Sequence, residues 1–124
     1  SWHFGIQHPR DLDAFFEVDD IGLPAIATSG DYQQYIEIKG RRYHHIIDPR
    51  NGWPASNVVS VSVWARTAVD ADILSTAIFV MGEVDGLELA ERLPDIEALV
   101  FSMGPNGLRS RATKGLQGSF RFVD

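Results

Sequence analysis

Apolar residues along this chain recur mostly at every second position, a spacing that predicts strands. Trp2, Phe4 and Ile6 alternate with His3, Gly5 and Gln7, which reads as a short strand. Acidic side chains then crowd Asp11 to Asp20 around Phe15-Phe16, a stretch expected to be a solvated loop or hairpin edge pinned by the two rings. Ala25-Ile26-Ala27 is a strand end leading into Thr28-Ser29-Gly30-Asp31, small polar residues that favour a turn or a helix cap. Tyr35 to Ile38 and Arg41 to Ile47 form a hairpin about Lys39-Gly40, and Pro49 with Asn51-Gly52 stops its second strand. Val58 to Trp64 is the clearest strand. Val59, Val61 and Val63 face one way, with Val58, Ser60, Ser62 and Trp64 on the other, predicting one dry side and one mixed side.

The period changes at Thr67. That residue can cap a helix, Asp70 can reach back to it as in a capping box, and apolar residues from Ile73 to Met81 leave almost no polar face before Gly82. The helix is therefore expected to be buried. A second helix, Leu87 to Leu93, stops at Pro94, and strands follow at Ile96 to Phe101, Leu108 to Ala112 and Ser119 to Val123. Strands and helices do not alternate regularly. The expected architecture is one α+β domain over residues 1–124, a mainly antiparallel sheet of about five or six strands with two central helices packed on it.

Composition narrows the function classes. Eleven Lys and Arg against seventeen Asp and Glu give a formal charge of -6, so no basic surplus exists to neutralise nucleic-acid phosphates. The absence of cysteine removes disulfides, thiolate metal sites and cysteine nucleophiles together. No apolar run approaches the roughly twenty residues of a membrane helix. The chain opens without a methionine or signal peptide, which predicts a mature form or a fragment.

Three groups of residues could carry chemistry. Asp72 lies in an apolar helix with no Lys or Arg three or four positions away, and an unpaired buried carboxylate there would cost several kcal/mol, roughly. Thr76 is one turn further on the same face, so two hard oxygens point into one space, as suits Mg²⁺ with water and a substrate phosphate. The competing reading pairs Asp72 with Arg66 or with backbone amides and bonds Thr76 to a helix carbonyl. The second group is His44-His45-Ile46-Ile47-Asp48-Pro49. Either imidazole could act as a base, bind phosphate when protonated or be structural, and opposite strand faces weaken a zinc site with Asp72. The third is Thr28-Ser29-Gly30-Asp31, whose amides could hold a phosphate or simply make a turn. No complete dinucleotide, phosphate-loop or Gly-x-Ser-x-Gly pattern occurs.

Taken in order, Trp2 to Pro9, Ala27 to Gly30, His45 to Gly52 and Ala71 to Ala77 with Phe79 to Gly82 resemble the C-terminal part of the ApbE family, the FAD:protein FMN transferases once labelled thiamine biosynthesis lipoproteins. Asn51 departs from the threonine of the family's His-x-x-Asp-Pro-x-Thr-Gly motif, and both residue types can bond into the turn. The resemblance implies a Mg²⁺-dependent enzyme that splits the FAD pyrophosphate, transfers FMN to a threonine of a target flavoprotein and releases AMP. It implies Asp72 and Thr76 as magnesium ligands and Ile46, with Ser29 and Gly30, as flavin-side contacts. His45 corresponds to the histidine that assists proton transfer at the acceptor threonine. Family members carry an upstream Gly-Gly-x-x-Lys-Gly half, with a carbonyl ligand and much of the FAD pocket, that is not in this sequence. The chain thus reads as a C-terminal portion or a subunit needing a partner, inactive alone and able to form a homodimer through the face left bare. The alternative is a non-catalytic flavin-binding or partner-binding module of the same fold. The family implies the bacterial cell envelope, on the periplasmic side and lipid-anchored in the longer form.

Overall fold

The computed structural model describes residues 2–123. In chain order the elements are β1 (His3–Gln7), β2 (Phe15–Asp19), β3 (Ala25–Gly30), β4 (Tyr35–Ile38), β5 (Arg41–His44), β6 (Ile47–Asp48), β7 (Trp53–Pro54), β8 (Ser60–Ala65), α1 (Ala68–Met81), α2 (Glu83–Arg92), β9 (Glu97–Gly104), β10 (Gly107–Ala112), a 3₁₀ turn (Lys114–Leu116) and β11 (Phe120–Val123). The fold is α+β and every strand pair is antiparallel. The strands do not form one sheet of five or six. They form a four-stranded sheet in the order β10-β9-β8-β3, a three-stranded sheet in the order β1-β2-β11, and the two-stranded ribbons β4-β5 and β6-β7.

The layers follow from the alternation of β8 and β9. Val61, Val63, Ala98 and Val100 face the helices and pack with Ile78, Phe79, Leu87 and Ala90. Trp64, Leu99 and Phe101 face the other way and pack with Ile6, Val18 and Leu116. Helices, central sheet and three-stranded sheet are therefore three layers with a core in each interval. Every residue of β8 is buried, so its mixed side is as dry as its valine side, with the Ser62 and Thr28 hydroxyls bonded to each other at 2.7 Å.

The acidic stretch is also more ordered than its composition suggests. Phe15–Asp19 is the central strand of the small sheet; Val18 is buried and Phe16 packs against Phe101, while Glu17 and Asp19 meet Arg121 of β11 at 2.7 and 3.3 Å. The hairpin turn is as expected, with Lys39 and Gly40 both at positive φ (52° and 77°), the combination that matches strand twist. Its second strand is shorter than the run to Ile47, because the chain bends after His44 and re-pairs at Ile47–Asp48 with Trp53–Pro54. The second helix begins at Glu83 rather than Leu87, since Gly82, at φ 93°, ends α1 and lets the chain turn straight into α2. No helix among the described residues is long and apolar enough to cross a membrane.

Candidate functional site

The start of α1 is fixed by Thr67, whose Oγ1 accepts the Asp70 N–H at 3.1 Å. The cap is one-sided: no reciprocal bond from the Asp70 carboxylate to Thr67 occurs among the described residues. From this start α1 lies on β3 and β8, burying Ala71, Ser75, Ile78 and Phe79. The opposite side is bare. Val69, Asp72, Ile73 and Thr76 are all exposed, so α1 is not the enveloped helix its apolar content suggests. The reason is that this chain supplies a sheet for one side of the helix only. Asp72 accordingly bears no burial penalty here, and no buried charge requires compensation. Arg66 is not its partner either, being bonded to Asp95 at 2.7 Å.

Hydroxyl geometry gives the site a different basis. Ser75 Oγ donates to the Asp72 carbonyl at 2.9 Å. Ser29 Oγ is 2.9 Å from Ser75 Oγ and 3.0 Å from Thr76 Oγ1. A hydroxyl has one proton. With the Ser75 proton spent on Asp72, Ser29 must donate to Ser75, and Thr76 must then donate to Ser29. The Thr76 oxygen is left with lone pairs for an outside group, one helical turn from an Asp72 carboxylate that no hydrogen bond or ion pair occupies among the described residues. These are hard oxygen donors of the kind Mg²⁺ takes. No group of three or more His, Cys, Asp or Glu side chains converges to hold a metal among the described residues.

Ser29 and Gly30 are not in a turn. β3 runs through them, pairing Ser29 with Val61 and Gly30 with Ser60, and the Asp31 N–H donates to the Val59 carbonyl at 3.0 Å. Packing explains the glycine: a Cβ on Gly30 would run into the Tyr32 ring that folds over it. Burial raises the Tyr32 phenol above its ordinary pKa. By strand alternation the Gly30 N–H points to the outer edge of β3, away from β8, where it can still meet an anion.

The two histidines separate cleanly. Buried His44 has Nε2 at 2.6 Å from the Ala55 carbonyl and accepts the Ile46 N–H on Nδ1 at 3.2 Å, with Phe79 edge-on at 5.3 Å. It is a neutral structural residue with no lone pair for zinc. Exposed His45 has Nδ1 at 3.2 Å from the Gln34 carbonyl. Only a protonated nitrogen pairs with a carbonyl, so Nδ1 carries the hydrogen, and in the neutral ring the lone pair is on Nε2. Ile46 is buried, with its carbonyl accepting the Ala55 N–H at 3.0 Å and one lone pair to spare.

Behind His45 the turn is tied by Asp48 and Arg50. The Arg50 guanidinium, and then its N–H, hold the Asp48 carboxyl below its ordinary range, and the same guanidinium reaches the Val80 carbonyl at 3.1 Å. Asn51 Oδ1 accepts the Trp53 N–H at 2.9 Å, the turn bond expected of it. One network escaped the sequence. Asp31 is gripped by Arg10 through two bonds of 2.7 and 2.6 Å and approached by Arg42 at 3.4 Å. Its only sequence signal is an aspartate at the mouth of a strand, and nothing in the linear order pairs it with Arg10.

Against known proteins, the model of the ApbE family matches residues 1–100. The FAD:protein FMN transferase of Vibrio cholerae serotype O1 is 47% identical over 92 residues, covering 73% of this chain and 28% of its own length. That of Treponema pallidum is 41% identical over 129 aligned positions, covering 100% of this chain and 34% of its own. The crystal structure of the ApbE protein from Thermotoga maritima superposes with a TM-score of 0.75 at 34% identity, over 97% of this chain and 38% of that one. The chain thus spans between 28% and 34% of the length of these curated relatives.

Proposed function

Because this chain belongs to the ApbE family, we propose that it is the C-terminal part of a FAD:protein FMN transferase. The observation that supports this best is the hydroxyl relay from Ser75 through Ser29 to Thr76, which leaves a hydroxyl oxygen and the Asp72 carboxylate free on one helix face. Asp72 and Thr76 would hold Mg²⁺, which supplies positive charge against the pyrophosphate of FAD. Ser29 orients the Thr76 oxygen, and the Gly30 N–H with the Ile46 carbonyl contact the flavin side of the substrate. His45 Nε2 takes the proton from the acceptor threonine hydroxyl. A bond then forms from that oxygen to the phosphorus of the FMN moiety, the phosphoanhydride bond breaks, and AMP leaves with its electron pair.

The remaining metal ligands and much of the FAD pocket belong to the rest of the complete protein, which also covers Val69 and Ile73 beside Asp72. The isolated chain is accordingly inactive, and a bare α1 face favours self-association. The cell envelope is part of the same reading. The test uses the complete protein with FAD, Mg²⁺ and a threonine-bearing flavoprotein acceptor. Expected are a mass gain on the acceptor equal to an esterified FMN and one AMP released per transfer. FAD uptake with neither product would overturn the enzyme and favour a flavin-binding module.

A further inference from the structure

The register of the β4-β5 hairpin separates its two faces. Directly opposed residues share a side, so Ile36 with Tyr43 and Ile38 with Arg41 lie on one face, and Tyr35 with His44 and Glu37 with Arg42 on the other. On the second face the β5 side chains turn to the body of the protein, His44 against Phe79 and Arg42 at Asp31, while Tyr35 of β4 is exposed beneath the Arg42 guanidinium. The first is uncovered. Ile36 is 61% exposed and Ile38 51%, and Trp53, which continues the surface from β7, is 62% exposed. The Arg41 guanidinium lies 5.5 Å from the centre of the Tyr43 ring, and the Tyr43 and Trp53 rings are 6.5 Å apart. Arginine, tyrosine and tryptophan thus stand in a row, the side chains that most often anchor protein contacts.

This row borders a cleft of about 310 Å³ whose lining includes Arg10, Asp31, Arg41, Arg42 and Met103. Three guanidiniums and one carboxylate line it, although the chain as a whole carries a charge of -6. Arg10 and Arg42 take that carboxylate, and Arg41 has no ion pair among the described residues. A local cationic surplus beside exposed isoleucines suits a segment that carries both carboxylates and apolar side chains.

We propose that this face and cleft receive the segment of the acceptor protein that flanks its target threonine, an acidic stretch with apolar side chains. The proposal rests on the transferase reading, which brings the threonine hydroxyl to His45. His45 follows Tyr43 by two residues. A threonine in a protein does not arrive alone, because three flanking residues on each side extend it by about 10 Å in each direction. The outer face of β5 leads along the chain to His45, and Tyr43 on that face lies against Trp53.

The test uses the complete protein carrying Ile38→Ser with Arg41→Glu, and separately Trp53→Ala. Transfer is followed against acceptor concentration, and FAD affinity is measured alone. The KM for acceptor should rise about tenfold or more in each variant, with kcat at saturating acceptor and FAD affinity within about twofold of the parent. A lysine replacing a flanking carboxylate of the acceptor should restore the KM of an Arg41→Glu enzyme. Unchanged acceptor KM would overturn the docking site, as would equal loss of FAD affinity, which would give the cleft to FAD. Failure of a maleimide to label Ile36→Cys in the acceptor-free protein would overturn it too, because the face would then be covered by the rest of the complete protein or a second copy. Absence of all FMN transfer by the parent would remove the transferase reading itself, whereas normal transfer with an unmoved acceptor KM removes the docking site alone.

Discussion

The β3-α1 junction and the turn from β5 into β6 carry the two halves of the proposed chemistry, and they are held by different means. At the junction, Ser29 meets Ser75 and Thr76 across 46 and 47 residues of sequence, so packing of a helix on a sheet sets the geometry. At the turn the ties are local: His44 to Ile46 and Arg50 to Asp48 span two residues each, and His44 to Ala55 spans eleven. The junction exposes its candidate ligands and keeps its structural groups underneath. The turn sets a structural histidine next to a chemical one. Chemistry and stability should therefore come apart by helix face in the first region and by adjacent residue in the second.

The largest expected effect tests that separation on the helix. In the complete protein Asp72→Asn should lower FMN transfer by about 10²–10³-fold, because it removes the charge that would hold Mg²⁺ against the pyrophosphate. Thermal melting without Mg²⁺ should be nearly unchanged, since among the described residues no hydrogen bond or ion pair ties the Asp72 side chain into the fold. A large fall in Tm would place Asp72 with the structural residues and erase the contrast.

The turn is tested by its adjacent pair. His45→Ala should lower transfer by about a hundredfold at little cost in stability. His44→Ala should do the reverse, costing about 2–3 kcal/mol through two lost hydrogen bonds and a gap against Phe79, with transfer by the folded protein retained. Denaturant unfolding beside transfer rates for both variants reads the difference directly. Equal effects of the two substitutions would mean that the residues act as one unit.

A smaller effect sharpens the junction. Gly30→Ala should cost about 1–3 kcal/mol in denaturant midpoint, because the new Cβ would displace the Tyr32 ring. A second substitution, Tyr32→Ala, should make Gly30→Ala nearly free, and strict additivity of the two would refute the steric account.

The smallest effect is a pH dependence at the turn. The Asp48 carboxyl is held below its ordinary 3.8 by Arg50. A depressed carboxylate stabilises the folded state above its unfolded pKa and loses that contribution as pH falls through the folded value. The stability difference between the parent and Asp48→Asn should thus be level above about pH 5 and shrink from near pH 3.8 downward. A difference that grows in acid would show the sign to be wrong.

Local chemistry was legible without a structure. Alternation placed the β8 strand, Lys39-Gly40 fixed a hairpin turn, Thr67 started α1 and Gly82 ended it, because each depends on near neighbours alone. The ordered motifs through Gly82 identified the family, and the helical step from Asp72 to Thr76 put two oxygens on one face. Other features needed distant parts of the chain to meet. The acidic Phe15–Asp19 stretch became a central strand only because Arg121 of β11 and Phe101 of β9 reach it. Thr28 to Gly30 stayed extended because β8 offers a ladder that outweighs a local turn. Asp72 proved exposed because burial depends on what lies across from a helix, and an apolar sequence cannot say whether its cover is present. The proton order from Thr76 to Ser29 to Ser75, and the choice of His45 rather than His44 as the free imidazole, were decided by hydrogen-bond partners that only the tertiary structure brings within reach.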